Sequence, residues 1–372
     1  MTVTYERVAT SGPARAGLLH TPHGTIPTPA FFPVATQGTV KTLTIRDLHG
    51  VSARGLLANA YHLWLRPGHE QVQRLGGLHR FMGWDGPIIT DSGGFQVFSL
   101  AELAELDDEG VRFRSHLDSS IRQLTPAVAV DVQSALGSDV AMVLDVCAPY
   151  PCEAAELGAA TEQTVRWAER AAGLSRPVET DLFGIVQGGV DLDLRLWCAT
   201  ELAALPFGGF GIGGLSVGEP RSGTWPALEA SLAPLPVDKP RYLMGVGAPD
   251  DLIEGIARGV DIFDCVLPTR LGRHGTVLVD GGKLNLHASG FAESGEPIDS
   301  ACDCLACTSF TRAFLHHLLR LGDPFGMQLA SLHNVRWLTG LVEKARNAIL
   351  EGTFDRYRET WRYSVVRGGL PG

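Results

Sequence analysis

Short apolar runs recur along the chain, each followed by a stretch with helical periodicity. They span 29–36, 55–61, 86–91, 139–145, 182–187, 210–215, 241–246 and 259–264. Within each run apolar residues are continuous rather than alternating, the pattern of a parallel strand covered on both faces. Helices are expected between them over 125–136, 153–172, 192–204 and 249–258. Pro126 and Pro249 suit first helical turns, and Asp250 and Asp251 complement the helix dipole. Eight such β-α units predict an α/β fold, a TIM (β/α)8 barrel, over an open doubly wound sheet.

A barrel of this kind needs about 250 residues, so the 372 present leave a surplus. Two stretches can hold it. One is the turn-rich segment before Pro29; the other runs from Pro268 to His333 and precedes a last helix near 335–350. No run is long and apolar enough to cross a bilayer, and the polar start carries no secretory core, so a cytoplasmic protein is expected.

Charge changes this picture little. The net charge is −10, from 31 basic and 41 acidic residues, which argues against a generic nucleic-acid binder. It is uneven, however: from Cys265 onward there are 12 Lys and Arg against 10 Asp and Glu, leaving 19 against 31 before it. A polyanionic partner would therefore be sought on the C-terminal part.

The cysteines change it more. An odd count of seven, thinly spread apart from Cys302, Cys304 and Cys307, does not read as a disulfide framework. Three thiolates so close together suit one small metal ion, and tetrahedral zinc requires a fourth donor. His316, His317 and His333 are the candidates. The first two lie in an apolar helical pattern, whereas His333 is expected to begin a new helix after Ser331 and Leu332. Three thiolates and an imidazole make a closed, structural site, so Zn2+ is expected as a brace, one per subunit. The expected organisation is an N-terminal extension (1–28), barrel strands and helices (29–267), a zinc-binding insertion (268–333) and a C-terminal helix closing the barrel (334–372).

Asp91, Asp145 and Asp264 each end an apolar run, with Gln187 in the same position on another. In a barrel those positions open onto the C-terminal face, where chemistry resides. One such Asp commonly caps a helix; three with a glutamine suggest a shared polar pocket. Glycines are dense around them, allowing backbone to approach a flat ligand, though the P-loop spacing does not occur.

Five segments carry a specific resemblance. Asp91-Ser-Gly-Gly-Phe-Gln96, Ile212-Gly-Gly-Leu-Ser-Val-Gly-Glu219, Met244-Gly-Val-Gly247, Asp261-Ile-Phe-Asp-Cys-Val-Leu-Pro-Thr-Arg270 and the set Cys302, Cys304, Cys307 and His333 resemble, in order, bacterial-type tRNA-guanine transglycosylases. The resemblance implies a zinc-braced TIM barrel that works as a homodimer on a tRNA anticodon loop. It implies exchange of the wobble guanine in G-U-N anticodon tRNAs (Asp, Asn, His, Tyr) for 7-aminomethyl-7-deazaguanine, through a covalent aspartyl-ribose intermediate. Asp264 would be the nucleophile and Asp91 the general acid/base. Asp145 would accept from the purine edge, Gln187 and the Gly214 N–H would donate to its ring oxygen, and Phe95 and Met244 would sandwich it. The Leu215 carbonyl would accept from the aminomethyl group, Glu219 would steady that peptide, and Val217 marks the bacterial type. Arg270 and Arg273 would hold the anticodon loop. One segment departs: Asp145-Val-Cys-Ala-Pro149 stands where the family commonly has Asp-Glu-Cys-Thr-Pro. Three other readings compete: a paralogue acting on DNA, an inactive partner subunit, and a metal-dependent barrel hydrolase. Retention of Asp91 and Asp264 opposes the second, and the lack of clustered histidines at strand ends opposes the third.

Overall fold

A computed structural model describes residues 3–100 and 104–367. The eight apolar runs become eight strands: β1 (Ala30–Ala35), β2 (Leu56–Ala58), β3 (Ile88–Thr90), β4 (Val140–Met142), β5 (Asp181–Val186), β6 (Gly209–Ile212), β7 (Arg241–Leu243) and β8 (Ile262–Cys265). Each pairs in parallel with the next, and β8 closes onto β1 through Ile262 opposite Ala30 and Asp264 opposite Phe32. The strands are buried almost throughout, because helices cover the outside and side chains fill the inside. Connecting helices include Pro126–Leu136, capped by the Thr125 side chain, and Ala154–Ala172. The helix after β5, α1 (Leu192–Ala203), is capped by Asp191.

One addition frames the barrel at its N-terminal end. A three-stranded antiparallel sheet (Thr4–Ser11, Ala14–Thr21 and Gly24–Thr28) sends Ala14, Ala16, Leu19 and Ile26 into the main core. It is fastened to the start of β8: buried Arg15 donates from Nε to Asp261 at 2.8 Å, and Tyr5 Oη donates to the same carboxylate at 2.7 Å. Nearby, Asp139, just before β4, accepts from the Ile88 N–H and faces the stacked rings of His23 and His79.

The sequence pattern missed a further excursion. Between β3 and the helix Pro126–Leu136 lie the helix Gly94–Leu100 and a small antiparallel sheet of Ala104–Leu106, Val111–Arg114 and Ile121–Leu124. These strands are short, and the described parts are largely exposed and polar, so no apolar run announces them.

After β8 come the short helix α2 (Leu267–Arg273), the hairpin Thr276–Val279 and Gly282–Asn285, the cysteine loop, and two further short helices. Next come α3 (Pro324–Leu350), 27 residues long, and the helix Phe354–Arg367. The expectation that His333 begins a helix is therefore corrected, since it sits within α3. The helix starts earlier because Asp323 caps it and Pro324 occupies its first turn. The helices α2 and α3 approach so closely that a side-chain carbon at Gly272 would lie 2.5 Å from the Ser331 nitrogen. Next to that contact, Asn334 accepts from the Leu278 N–H at 2.8 Å and donates to the Pro268 and Thr276 carbonyls at 3.0 and 2.9 Å.

Candidate active site

The C-terminal ends of the strands surround a cleft of about 400 Å3. Asp91, Asp145, Asp264, Gln187, Gly214, Leu215, Phe95, Val217 and Met244 all line it. Sequence reasoning had placed these residues on six different β-α units; barrel closure brings them together.

Each carboxylate is held differently. Asp91, half-buried just past β3, accepts from Asn59 Nδ2 at 2.5 Å and from the Ala60 N–H at 2.9 Å. Burial, reinforced by the charges of Asp264 and Asp145, pushes its pKa up to about 7 against the pull of the Ala60 and Gly93 amides. Asp145 accepts from Gln187 Nε2 at 2.7 Å and Ser92 Oγ at 3.3 Å, and burial raises it above the usual carboxylate range. Asp264, on β8, accepts from Tyr242 Oη at 2.5 Å and the Gly245 N–H at 2.8 Å. Both bonds fall on Oδ1, so Oδ2 is left without a protein donor among the described residues. Burial raises the Asp264 pKa as well, with these two donors opposing.

Three carboxylates in one cleft, one poised near neutrality and one tethered with a free oxygen, are an arrangement that can offer an acid/base and an oxygen nucleophile. Phe95 is 53% exposed at the rim and Met244 is half-buried, giving the cleft apolar faces for a flat ring.

Glu219 lies behind the cleft rather than in its lining. It accepts from the Ser216 N–H at 2.5 Å, the Val217 N–H at 2.9 Å and Thr224 Oγ1 at 2.8 Å. Burial disfavours its charge, but these donors outweigh it and hold the carboxyl below its usual range. The loop so fixed includes Ser216 at a φ of 61°. Beside it, Val146, Ala148 and Tyr150 line an apolar recess of about 760 Å3 that also meets Phe95 and Val217. Arg270 is exposed on α2, outside the cleft, and Arg273 donates from Nε to the Thr269 carbonyl at 3.1 Å.

Sequence reasoning missed Asn59, Ser92 and Tyr242. Tyr242 carried a signal, being a tyrosine in a short barrel strand with the parity of Met244. The others carried none, since an asparagine or serine near a strand end is ordinary.

Away from the cleft, Cys302, Cys304, Cys307 and His333 bring their ligand atoms within 4.8 Å of one another, and this cluster can hold a metal ion. His333 Nε2 donates to the Leu278 carbonyl at 2.7 Å, which turns Nδ1 toward Cys307 Sγ at 3.2 Å and Cys304 Sγ at 3.7 Å. His316 is instead engaged with the Leu286 carbonyl at 2.7 Å. The other group with ligand-like spacing among the described residues is His23, His79 and Asp139. There His79 Nε2 faces both Asp139, at 3.4 Å, and the Gly86 carbonyl, at 3.1 Å.

A family model described as queuine tRNA-ribosyltransferase matches residues 10–366. A queuine tRNA-ribosyltransferase of Symbiobacterium thermophilum is 53% identical over 349 residues, covering 94% of this chain and 87% of the relative. One from Desulforudis audaxviator is 55% identical over 347 residues, 93% of each chain. A third, from Pelotomaculum thermopropionicum, is 50% identical over 358 residues, 96% of each.

Proposed function

This chain belongs to the queuine tRNA-ribosyltransferase family, and from that premise we propose that it is the pentosyltransferase that replaces the wobble guanine of G-U-N anticodon tRNAs (Asp, Asn, His, Tyr) with 7-aminomethyl-7-deazaguanine. The reaction is a double displacement. Asp264 Oδ2, the oxygen free of protein donors, attacks C1′ of the ribose. The C1′–N9 bond breaks and its electron pair passes into the departing guanine, which takes a proton from neutral Asp91. The incoming base then loses its ring proton to Asp91 and displaces Asp264 from C1′, restoring both carboxyls. A pKa near 7 lets Asp91 serve in both directions.

The observation that carries this reading is the pairing, in one cleft, of a carboxyl poised near neutrality with a carboxylate tethered through a single oxygen. Asp145, Gln187 and Gly214 would read the purine edge, with Phe95 and Met244 against its faces. The Leu215 carbonyl, on the loop that Glu219 fixes beside Val217, would take the aminomethyl group. Exposed Arg270, with Arg273, would meet the anticodon loop. The soft donor set of three sulfurs and one nitrogen, with Nδ1 of His333 aimed at two of those sulfurs, suits Zn2+ as a structural brace. A homodimer in the cytoplasm completes the reading, and no helix among the described residues is long and apolar enough to cross a membrane.

Labelled guanine incubated with the protein and unmodified tRNA of a G-U-N anticodon tests it. Wild type is expected to incorporate label, Asp264→Asn to incorporate none, and 7-aminomethyl-7-deazaguanine to compete. Incorporation by the asparagine variant would remove Asp264 from the chemistry; none by wild type would turn attention to DNA as the substrate.

A further inference from the structure

Arg195, on α1, is fully buried, yet it forms no ion pair with a carboxylate among the described residues. Its guanidinium donates instead to four main-chain carbonyls. Nε reaches Gly189 at 2.8 Å, Nη1 reaches Val186 at 3.0 Å and Gly213 at 2.8 Å, and Nη2 reaches Gly214 at 3.2 Å. Burial lowers its pKa to about 10, so it remains a cation at neutral pH. A buried charge without a counter-ion is among the costlier groups a fold can hold. An apolar side chain of similar length would fill the space without that cost.

The four carbonyls flank the cleft floor on either side of Gln187 and Gly214. In a trans planar peptide the C=O and the N–H point in opposite directions. The Gly213 carbonyl faces Arg195, behind the cleft, so the N–H of that same peptide, which belongs to Gly214, faces away from Arg195 and toward the cleft. Among the described residues it has no protein acceptor. The next peptide repeats the arrangement, with the Gly214 carbonyl on Arg195. Gly214 has a φ of 64°, and a side chain there would collide with the Gln187 amide, so backbone alone can occupy this wall.

We propose that Arg195 is a positioning residue for a 6-oxopurine: a buried cation that aims the Gly214 N–H at the ring oxygen and strengthens it as a donor through the intervening peptide. A hydrogen bond on the carbonyl of a peptide polarises its N–H. As the C1′–N9 bond breaks, negative charge spreads over the purine onto that oxygen, and a preorganised, polarised donor gains most at that moment. The effect falls more on turnover than on binding of tRNA. This inference rests on the base exchange proposed above and names what makes the cleft select an oxygen at that ring position.

Arg195→Met and Arg195→Lys test it in the full-length protein, alongside wild type, by guanine exchange and by isotope-edited infrared spectroscopy of the C6=O stretch of bound guanine. Arg195→Met is expected to lower kcat by roughly 100-fold, the scale of losing one preorganised donor. The KM for tRNA should stay put, and the C6=O stretch should move back toward its value in water. Arg195→Lys keeps the charge with a smaller reach, and should fall between the two in both readouts; it also carries the test if the methionine variant does not fold. A wild-type C6=O frequency in either variant, whatever its activity, makes Arg195 a packing strut only and overturns the proposal. So does unchanged turnover in Arg195→Met. Failure of wild type itself to exchange or bind guanine would instead sink the base-exchange reading.

Discussion

Asp91 couples reactivity to stability. Its carboxyl has an ordinary value of 3.8, appropriate to the unfolded chain, and ionises near 7 in the folded protein. Between those values the native state keeps a proton that the unfolded state has released. The group's contribution to stability is therefore fully present below the lower value and is lost as pH rises through the upper one. Asp91→Asn removes this dependence, so the Tm of wild type relative to the variant is expected to fall between about pH 5 and about pH 8. A constant difference across that range would mean that Asp91 is ionised throughout. The chemistry has a related signature: covalent capture of the ribose requires neutral Asp91, so its single-turnover rate should decline above about pH 7. At this scale the sequence showed which side chains end strands but not what holds them. Asp91, Asp145 and Asp264 were legible because each closes an apolar run. Asn59 and Arg195 were not, because their hydrogen bonds join residues far apart or go to main-chain carbonyls, which leave no trace in composition.

Among elements, the strands were the most legible, since parallel strands buried on both faces must be written as continuous apolar runs. The small sheet of 104–124 was not legible, being short and largely exposed. Nor was the true start of α3, because the pattern from Pro324 onward mixes buried Leu329, Ala330 and Leu332 with buried Ser331, His333 and Asn334. Those polar residues have tasks that only the tertiary structure reveals: Ser331 faces Gly272, Asn334 ties down α2 and the hairpin, and His333 meets the cysteines. The cysteine loop has little regular structure of its own and depends on that meeting. Cys304→Ala is expected to lose the bound metal and to lower Tm, since metal binding to such a site is also folding energy. Metal analysis together with calorimetry checks this, and unchanged zinc content and Tm would remove the cluster's role as a brace.

Across the whole molecule, the two ends of the barrel divide the work. The C-terminal end holds the cleft, while the N-terminal end is closed by the antiparallel sheet and its buried pair, Arg15 with Asp261. Removing one partner of a buried pair strands the other, so Arg15→Met should lower the unfolding free energy by about 3–5 kcal/mol. Urea titration measures this, and guanine exchange by the surviving folded fraction should be unaffected, because Asp261 stands at the opposite end of β8 from the cleft. A loss below about 1 kcal/mol would mean that water replaces the guanidinium and that the sheet seals less well than its burial implies.

The helix α3 ties the start of the chain to the segment after β8. Arg346 donates to the carbonyls of Gly17 and Thr28, Thr339 to that of Val51, and Asn334 to those of Pro268 and Thr276, while His333 completes the cysteine cluster. Ribosomes deliver a chain from its N-terminus, so β1 is made first yet must wait for β8 before it has a second neighbour, and the N-terminal sheet waits longer still for α3. A nascent chain of this protein thus carries an unclosed barrel edge until β8 has been made, and a message cut short between β8 and α3 would yield chains whose barrel strands can pair but whose N-terminal sheet and cysteine loop lack the helix that fastens them.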